Sequence, residues 1–443
     1  MFKTFRPGGI HPSENKLTAG SEIRELPVPD QVSIPLNQHI GASPRILVEK
    51  GNMVKVGQLI AEGEGFISAN IHSSVSGKVL KIDAVVDISG YKRKAITIKV
   101  EGDEWGEEID RSTELVREIS LERQEIVQKI NKSGIVGMGG ATFPSHVKLM
   151  LPRGKKAEYL IVNGAECEPY LTSDHILMLE KAEQIMTGTT IMMKALEVDK
   201  AIIGIENNKL DAIAHMTAQA EHFPGIEVQG LKVKYPQGGE KQLIKALIDR
   251  EVPSGGLPID VGAVVFNVGT LLATYQAIQI NKPLFERVVT ISGKNVVNPG
   301  NYMVRIGTPV SALIEACGGL PENTGKIISG GPMMGKALNS LEVPIIKGTS
   351  GITVMPDTES SRKHVQNCIR CSKCITVCPM GLEPYLLMPL GERELFERME
   401  DERAMDCIEC GSCSYICPSN RPLLDYIRLG KVVINKIRRA RKK

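Results

Sequence analysis

Eight of the ten cysteines fall between Cys368 and Cys417. Cys368, Cys371, Cys374 and Cys378 have the spacing C-x2-C-x2-C-x3-C, closed by Pro379. Cys407, Cys410, Cys413 and Cys417 repeat it with Pro418, each 39 residues after its counterpart. Thiolates three residues apart in a tight loop can all face one cubane, and a more distant sulfur closes the shell. In two-cluster ferredoxins that fourth cysteine serves the other cluster. The spacing therefore predicts one [4Fe-4S] cluster on Cys368, Cys371, Cys374 and Cys417, and a second on Cys407, Cys410, Cys413 and Cys378. Tetrahedral zinc also favours C-x2-C pairs, but four ligands do not call for two triplets each closed by Cys-Pro. Cys167 and Cys317 stand apart and read as buried structural thiols.

A second group of residues could hold a phosphate or a planar ring. Gly134 to Pro144, GIVGMGGATFP, carries four glycines within seven residues, which lets main-chain amides approach a ligand closely, although such density also marks plain turns. Lys148 follows as a phosphate partner. The strand-like YLIVN then ends in Asn163-Gly-Ala-Glu-Cys-Glu-Pro169, where Glu166 and Glu168 emerge together. In an open α/β sheet that edge binds ligands, and a solvated acidic turn is the alternative. Tyr235-Pro-Gln-Gly-Gly-Glu240 leads into a helix with Leu243, Ile244, Leu247 and Ile248 on one face. Gly238 and Gly239 leave that helix start open to an anion, and Asn267 ends another strand in VVFNVGTLL.

These groups need scaffolds, and the rest of the chain supplies them. Its 443 residues, 42% apolar and 24% charged, can bury several cores. Lys plus Arg exceed Asp plus Glu only by 54 to 51, too narrow a margin for sequence-independent phosphate binding, so nucleic acid is excluded as a partner class. Residues 1–40 read as an arm rich in Pro and Gly, and 41–114 as a small β sandwich punctuated by Gly51, Gly57, Gly63, Gly65 and Gly77. Helical spacing begins at Glu114, and strand-like and helical runs alternate through residue 286, predicting an α/β layer. Residues 287–345 return to short strands as a β-grasp module, 346–430 hold a helical two-cluster ferredoxin module, and 431–443 form a basic tail. The fold class is thus multidomain α/β plus β. Val261 to Asn281 is of membrane length but polar enough to read as a buried strand and helix. The N-terminus has no apolar export core, which predicts a reducing, cytoplasmic location. From Arg428 to Lys443 eight of sixteen residues are basic, a candidate contact for anionic lipid or an acidic partner subunit, with a solvated terminus as the alternative.

VKVGQLIAEGEG followed by SSVSGKV resembles the barrel-sandwich domains that carry lipoyl or biotinyl groups, but GFISANIHSS at the hairpin offers no carrier lysine. GIVGMGGATFP, a lysine, NGAECEP, YPQGGE and FNVGTLLA follow in the order of the flavin and nicotinamide site in the NADH-oxidising flavoprotein subunit of complex I. With the opening FRPGGIHPSENK and the twin cysteine runs, nearly the whole chain resembles the RnfC family of Rnf electron-transport complexes. The resemblance implies FMN walled by Gly137, Gly139, Gly140 and Lys148, with Asn163, Glu166, Asn267 and Thr270 near its ring and ribityl phosphate. It implies Phe143, Glu168 and Glu240 on the NAD(H) side, within a cofactor-binding set that includes Tyr235 and Gly238. Glu166, Glu168 and Glu240 are the candidate catalytic carboxylates, orienting and tuning groups and forming no covalent bonds. Val136, Met138 and Leu151 depart from the complex I pattern, which has arginines and an aromatic there. The implied function is the NADH-oxidising input of a membrane-bound, ion-translocating NADH:ferredoxin oxidoreductase, passing electrons from NADH through FMN to two [4Fe-4S] clusters, or the reverse. The implied partners are other subunits of the complex, NADH, and ferredoxin through a partner subunit. The implied location is peripheral, on the cytoplasmic side of the membrane. Two other readings are a corrin reductase of a microcompartment and a non-enzymatic iron–sulfur relay.

Overall fold

The computed structural model describes residues 1–441. Four sheets organise the described residues. The N-terminal sandwich pairs an antiparallel sheet of Gln31–Pro35, Lys92–Val100, Gly77–Val86 and Met53–Val54 with a smaller one of Arg45–Ile46, Leu59–Glu62 and Ile71–His72. Alternating apolar residues such as Val32, Ile34, Ile96 and Ile98 point into a shared core, as period-two patterning requires. The sandwich begins before the expected boundary at residue 40, because Gln31–Pro35 pairs with Lys92–Val100 along its whole length. Pro27 and Pro29 just before this strand give it the look of a lead-in, and composition carries no signal of which distant strand it joins.

The central domain carries a four-stranded parallel sheet in the order Ile226–Leu231, Ala201–Glu206, Tyr159–Asn163, Ala263–Asn267. Its strands read as near-continuous apolar runs because helices cover the sheet. Helix Ala182–Leu196 packs on helix Val268–Gln279 across the shared core. The chain builds outward from Tyr159–Asn163 in one direction and then returns to place Ala263–Asn267 on its other side. The carboxyl ends of these two strands therefore flank a topological switch point. Val261 to Asn281 is a buried strand and helix, as expected, and among the described residues no helix is long and apolar enough to cross a membrane. The helix expected from Glu114 starts at Arg123, since Glu122 and Glu125 form the capping box that fixes its first turn.

A mixed six-stranded sheet follows, in the order Ile23–Glu25, Gly300–Arg305, Glu286–Ser292, Gly351–Pro356, Thr324–Ser329, Lys336–Ala337. It takes a strand from the arm at one edge and Gly351–Pro356 into its middle, so the expected end at residue 345 also moves outward. The last domain is helical: Lys373–Thr376, Pro384–Glu392, Phe396–Asp401, Ser412–Ile416 and Leu423–Arg441. The long last helix buries Leu423, Leu424, Ile427 and Ile434 along one stripe. It accounts for most of the expected basic tail, of which residues 442–443 lie outside the described residues.

Candidate functional site

The glycine loop lies at the switch point. Met138 N donates to Thr270 Oγ1 at 3.0 Å, so fully buried Thr270 holds the loop. Gly139 passes so close to the strand end that a Cβ there would stand 2.8 Å from Asn267 Nδ2. Gly140 is exposed with nothing within 4 Å of its Cβ position, and the loop closes where Gly137 N donates to Phe143 O. Two buried cations from beyond the central domain anchor the loop. Lys347 Nζ donates to Gly134 O and Asn70 O, both at 2.7 Å, and Arg287 donates to Met138 O at 3.3 Å. Burial pushes Lys347 down to about 7. Neither residue was singled out in the sequence, because each is far along the chain from the loop and carries no local motif.

Asn163 and Asn267 are register partners on adjacent strands. Asn267 Oδ1 accepts from Gly269 N at 2.8 Å, capping the following helix, while its Nδ2 donates to Asp174 Oδ2 at 2.6 Å. Asn163 Nδ2 donates to Gly238 O at 2.8 Å, which brings the YPQGGE turn to the same edge. Lys148 Nζ lies 2.8 Å from Glu240 Oε1 and donates to Val265 O at 3.0 Å. Both partners are half-exposed and open to a ligand.

The other two carboxylates are engaged by main-chain amides. Glu166, with φ of 46°, folds back so that Oε1 accepts from Asp174 N at 2.8 Å and Oε2 from His175 N at 3.2 Å, at the start of helix Ser173–Glu180. That placement suits the positive end of a helix. Glu168 accepts from Met334 N at 2.7 Å and Met333 N at 3.1 Å, tying the central domain to the six-stranded sheet domain, and burial pushes it up to about 7. The sequence puts both at a ligand-binding strand edge or in a solvated acidic turn; the left-handed turn at Glu166 and the distant Met333 turn are invisible in it. Tyr235, expected in the cofactor-binding set, is fully buried and donates its hydroxyl to Cys410 O at 2.8 Å. Cys167 accepts from Gly238 N at 3.4 Å and Cys317 is buried, both as structural thiols, with burial pushing each upward.

Cys378, Cys407, Cys410 and Cys413 line one cavity walled by Met380, Leu382, Leu387, Leu424 and Ile427. Three belong to the second cysteine run and the fourth to the first. Cys417 packs with Cys374 of the first run, while Cys368 and Cys371 are exposed. Among the described residues no three His, Cys, Asp or Glu side chains sit close enough to share one ion. Four thiols around one apolar cavity are the set a [4Fe-4S] cluster takes from a protein.

Residues 130–276 match the Nuo51 FMN-binding domain, 3–103 the RnfC barrel sandwich hybrid domain, 288–337 the SLBB domain and 360–418 a 4Fe-4S dicluster domain. The C component of the proton-translocating ferredoxin:NAD(+) oxidoreductase complex of Clostridium ljungdahlii is 50% identical over 433 residues, covering 97% of this chain and 93% of that protein. The chain belongs to the RnfC family. Another member, the C component of the Na(+)-translocating ferredoxin:NAD(+) oxidoreductase complex of Acetobacterium woodii, is 42% identical over 97% of this chain and 96% of its own length. Its counterpart in the ion-translocating oxidoreductase complex of Rhodobacter capsulatus is 42% identical over 86% of this chain and 73% of its own length. An NAD+-reducing [NiFe]-hydrogenase in the H2-reduced state shares the fold, with a TM-score of 0.50 at 19% identity over 70% of this chain and 62% of that one. An FMN-binding domain and a 4Fe-4S dicluster domain are thus both present in this RnfC chain, in the order its motifs give them. Nothing lies within 4 Å of a Cβ at Gly140, which leaves the loop room for a ligand, and four thiols line the cavity, the number a [4Fe-4S] cluster takes from a protein.

Proposed function

We propose that this chain is the NADH-oxidising electron-input subunit of an ion-translocating ferredoxin:NAD(+) oxidoreductase. It docks as a peripheral subunit on the cytoplasmic side of the membrane and exchanges electrons with ferredoxin through a partner subunit. The observation that carries this reading is the convergence of Gly139, Gly140, Asn163, Lys148 and Glu240 at one switch point, in a chain whose cysteine runs form a separate apolar cavity. Bound FMN supplies the conversion between a two-electron hydride donor and one-electron iron–sulfur acceptors.

The protein's part is position and charge. The Gly139–Gly140 turn would offer its amides to a phosphate, with Lys148 as the cation for it or for Glu240. Glu240, at the first position of helix Glu240–Ile248, stands where a ribose hydroxyl of a dinucleotide would find an acceptor. Glu166 holds the helix that carries Asp174, which in turn holds Asn267. Cys378, Cys407, Cys410 and Cys413 would hold one cluster away from water, and Cys368, Cys371, Cys374 and Cys417 a second at the surface.

An iron, sulfide and FMN count on anaerobically purified protein, with NADH-dependent bleaching of the flavin, tests the reading. About eight irons and one FMN support it; absence of flavin removes its enzymatic half. Peripheral docking is tested on the exposed basic face of the last helix, where Arg438 and Arg441 already pair with Glu400 and Glu397, while Lys436 and Arg439 face solvent. Lys436→Glu with Arg439→Glu is expected to release the protein from membranes at lower salt than the parent.

A further inference from the structure

The arm motif FRPGGIHP takes part in none of the sites above, yet it lies between two of them. Lys3 N donates to Gly230 O at 3.1 Å and Lys232 N to Lys3 O at 2.8 Å, so the arm first runs along the edge of the parallel sheet. Fully buried Phe5 then sits under Lys234, whose Nζ is 4.3 Å from its ring centroid and donates to its carbonyl at 3.1 Å. Beyond Pro7 the arm enters the gap between the central domain and the cysteine-lined cavity. Ile10 and Tyr235 exchange both backbone hydrogen bonds at 2.9 Å, and Gly9 N donates to Val377 O at 2.9 Å. Gly8, at φ of 74°, lies so close to the cysteine run that a Cβ would stand 2.5 Å from Cys378 O and 2.7 Å from Pro379 N. Tyr235 closes the layer from the other side, its hydroxyl donating to Cys410 O. Ile10, Tyr235 and Cys410 share one small apolar cluster, with Cys167 and Met333 packed around it.

We infer that the arm is a clamp setting the distance between the flavin site and the buried cluster, with Gly8 and Tyr235 as positioning residues for electron passage between them. The inference rests on the flavin–cluster reading above. Two of the four ligands of that cluster, Cys378 and Cys410, are touched directly, one by the arm and one by the turn that leads to Glu240. The layers are thin because only glycine fits at position 8, and electron passage falls steeply with separation. The arm and the turn before Glu240 both reach the buried set of cysteines, so the buried cluster is the one that exchanges electrons with the flavin.

Gly8→Val and Tyr235→Phe in the full-length, anaerobically purified chain test this. For Gly8→Val, flavin bleaching by NADH is expected at the parent rate, while the subsequent reduction of a cluster slows severalfold, because electron passage falls steeply with each ångström of added separation. Loss of about four irons with FMN retained would support the clamp equally. Tyr235→Phe is expected to keep its iron and to shift the EPR g values of one reduced cluster while leaving the other unchanged. Either variant with the parent's iron content, transfer rate and EPR spectrum overturns the role of its residue. The EPR spectra are taken after dithionite reduction, which needs neither NADH nor flavin, so this result stands separately from the identity of the donor.

Discussion

Asn163 and Asn267 stand side by side as register partners at the carboxyl ends of two parallel strands, with Asn267 Nδ2 3.5 Å from Asn163 O. One amide reaches toward the YPQGGE turn and the other toward Asp174 and the helix it caps, so the pair spans the switch point from side to side.

Asn267→Ala removes a helix cap, at a cost of about 1 kcal/mol, and leaves buried Asp174 without its donor. Gly139, whose approach depends on this side chain, loses its backing. Together the two losses come to about 2–4 kcal/mol, so the expected result is a Tm lower by at least roughly 4 °C and a clear fall in the FMN-to-protein ratio, read by fluorescence after acid release. Parent FMN content would place the flavin elsewhere.

Glu240→Ala separates binding from folding. The Lys148–Glu240 pair is half-exposed, and such pairs are worth about 0–1 kcal/mol, so Tm and iron count should hold. Loss of a charged hydrogen bond to a dinucleotide, about 1.5–3 kcal/mol, should raise KM for NADH roughly tenfold or more. Unchanged NADH kinetics would remove Glu240 from the site.

Three buried carboxyls set the pH response. Burial is the leading cause that pushes Glu168, Asp174 and Glu206 each up to about 7. A folded-state value above the unfolded one means the native chain holds the extra proton, so the stability these three carboxyls contribute falls as pH rises from about 4.5 to about 7 and is level above, while buried His72 and Lys347, both lowered, contribute with the opposite sign. Each group contributes a slope of up to about 1.4 kcal/mol per pH unit. Glu206→Gln should flatten the dependence of Tm on pH across that window by one proton's share. A curve parallel to the parent's would show that Glu206 is ionised throughout.

The crossed cysteine arrangement separates two ligand schemes. Cys378→Ser should remove the buried cluster although its residue lies in the first run, and Cys417→Ser should remove the surface cluster although it lies in the second. Each variant should retain about four of eight irons. EPR should then show Cys378→Ser and Cys407→Ser with the same remaining signal; signals that group by run instead would restore uncrossed shells.

Local chemistry was legible in the sequence wherever it was carried by neighbours along the chain. The cysteine spacing, the glycine loop and the strand–helix pair at 261–281 all reappear where the residues put them. What escaped depends on contacts between distant segments. Glu166 and Glu168 look alike in NGAECEP, yet one caps a helix and the other holds a turn some 165 residues away. Lys347 and Arg287 anchor the glycine loop from another domain, and nothing around either in the sequence marks it as buried. Domain edges blurred for the same reason, since Ile23–Glu25, Gln31–Pro35 and Gly351–Pro356 join sheets whose other strands lie far along the chain.

The contact of Gly8 with Cys378 joins a segment that leaves the ribosome early to one that leaves it late. Closing so long a loop adds only slowly growing entropy, so the contact is thermodynamically cheap, but in time it must wait until the cysteine runs have emerged. The arm thus docks in two stages: Lys3, Phe5 and Ile10 can settle on the central domain first, and only the Gly8–Gly9 turn waits for the cysteine runs, so the closing of that turn marks the last step of assembly.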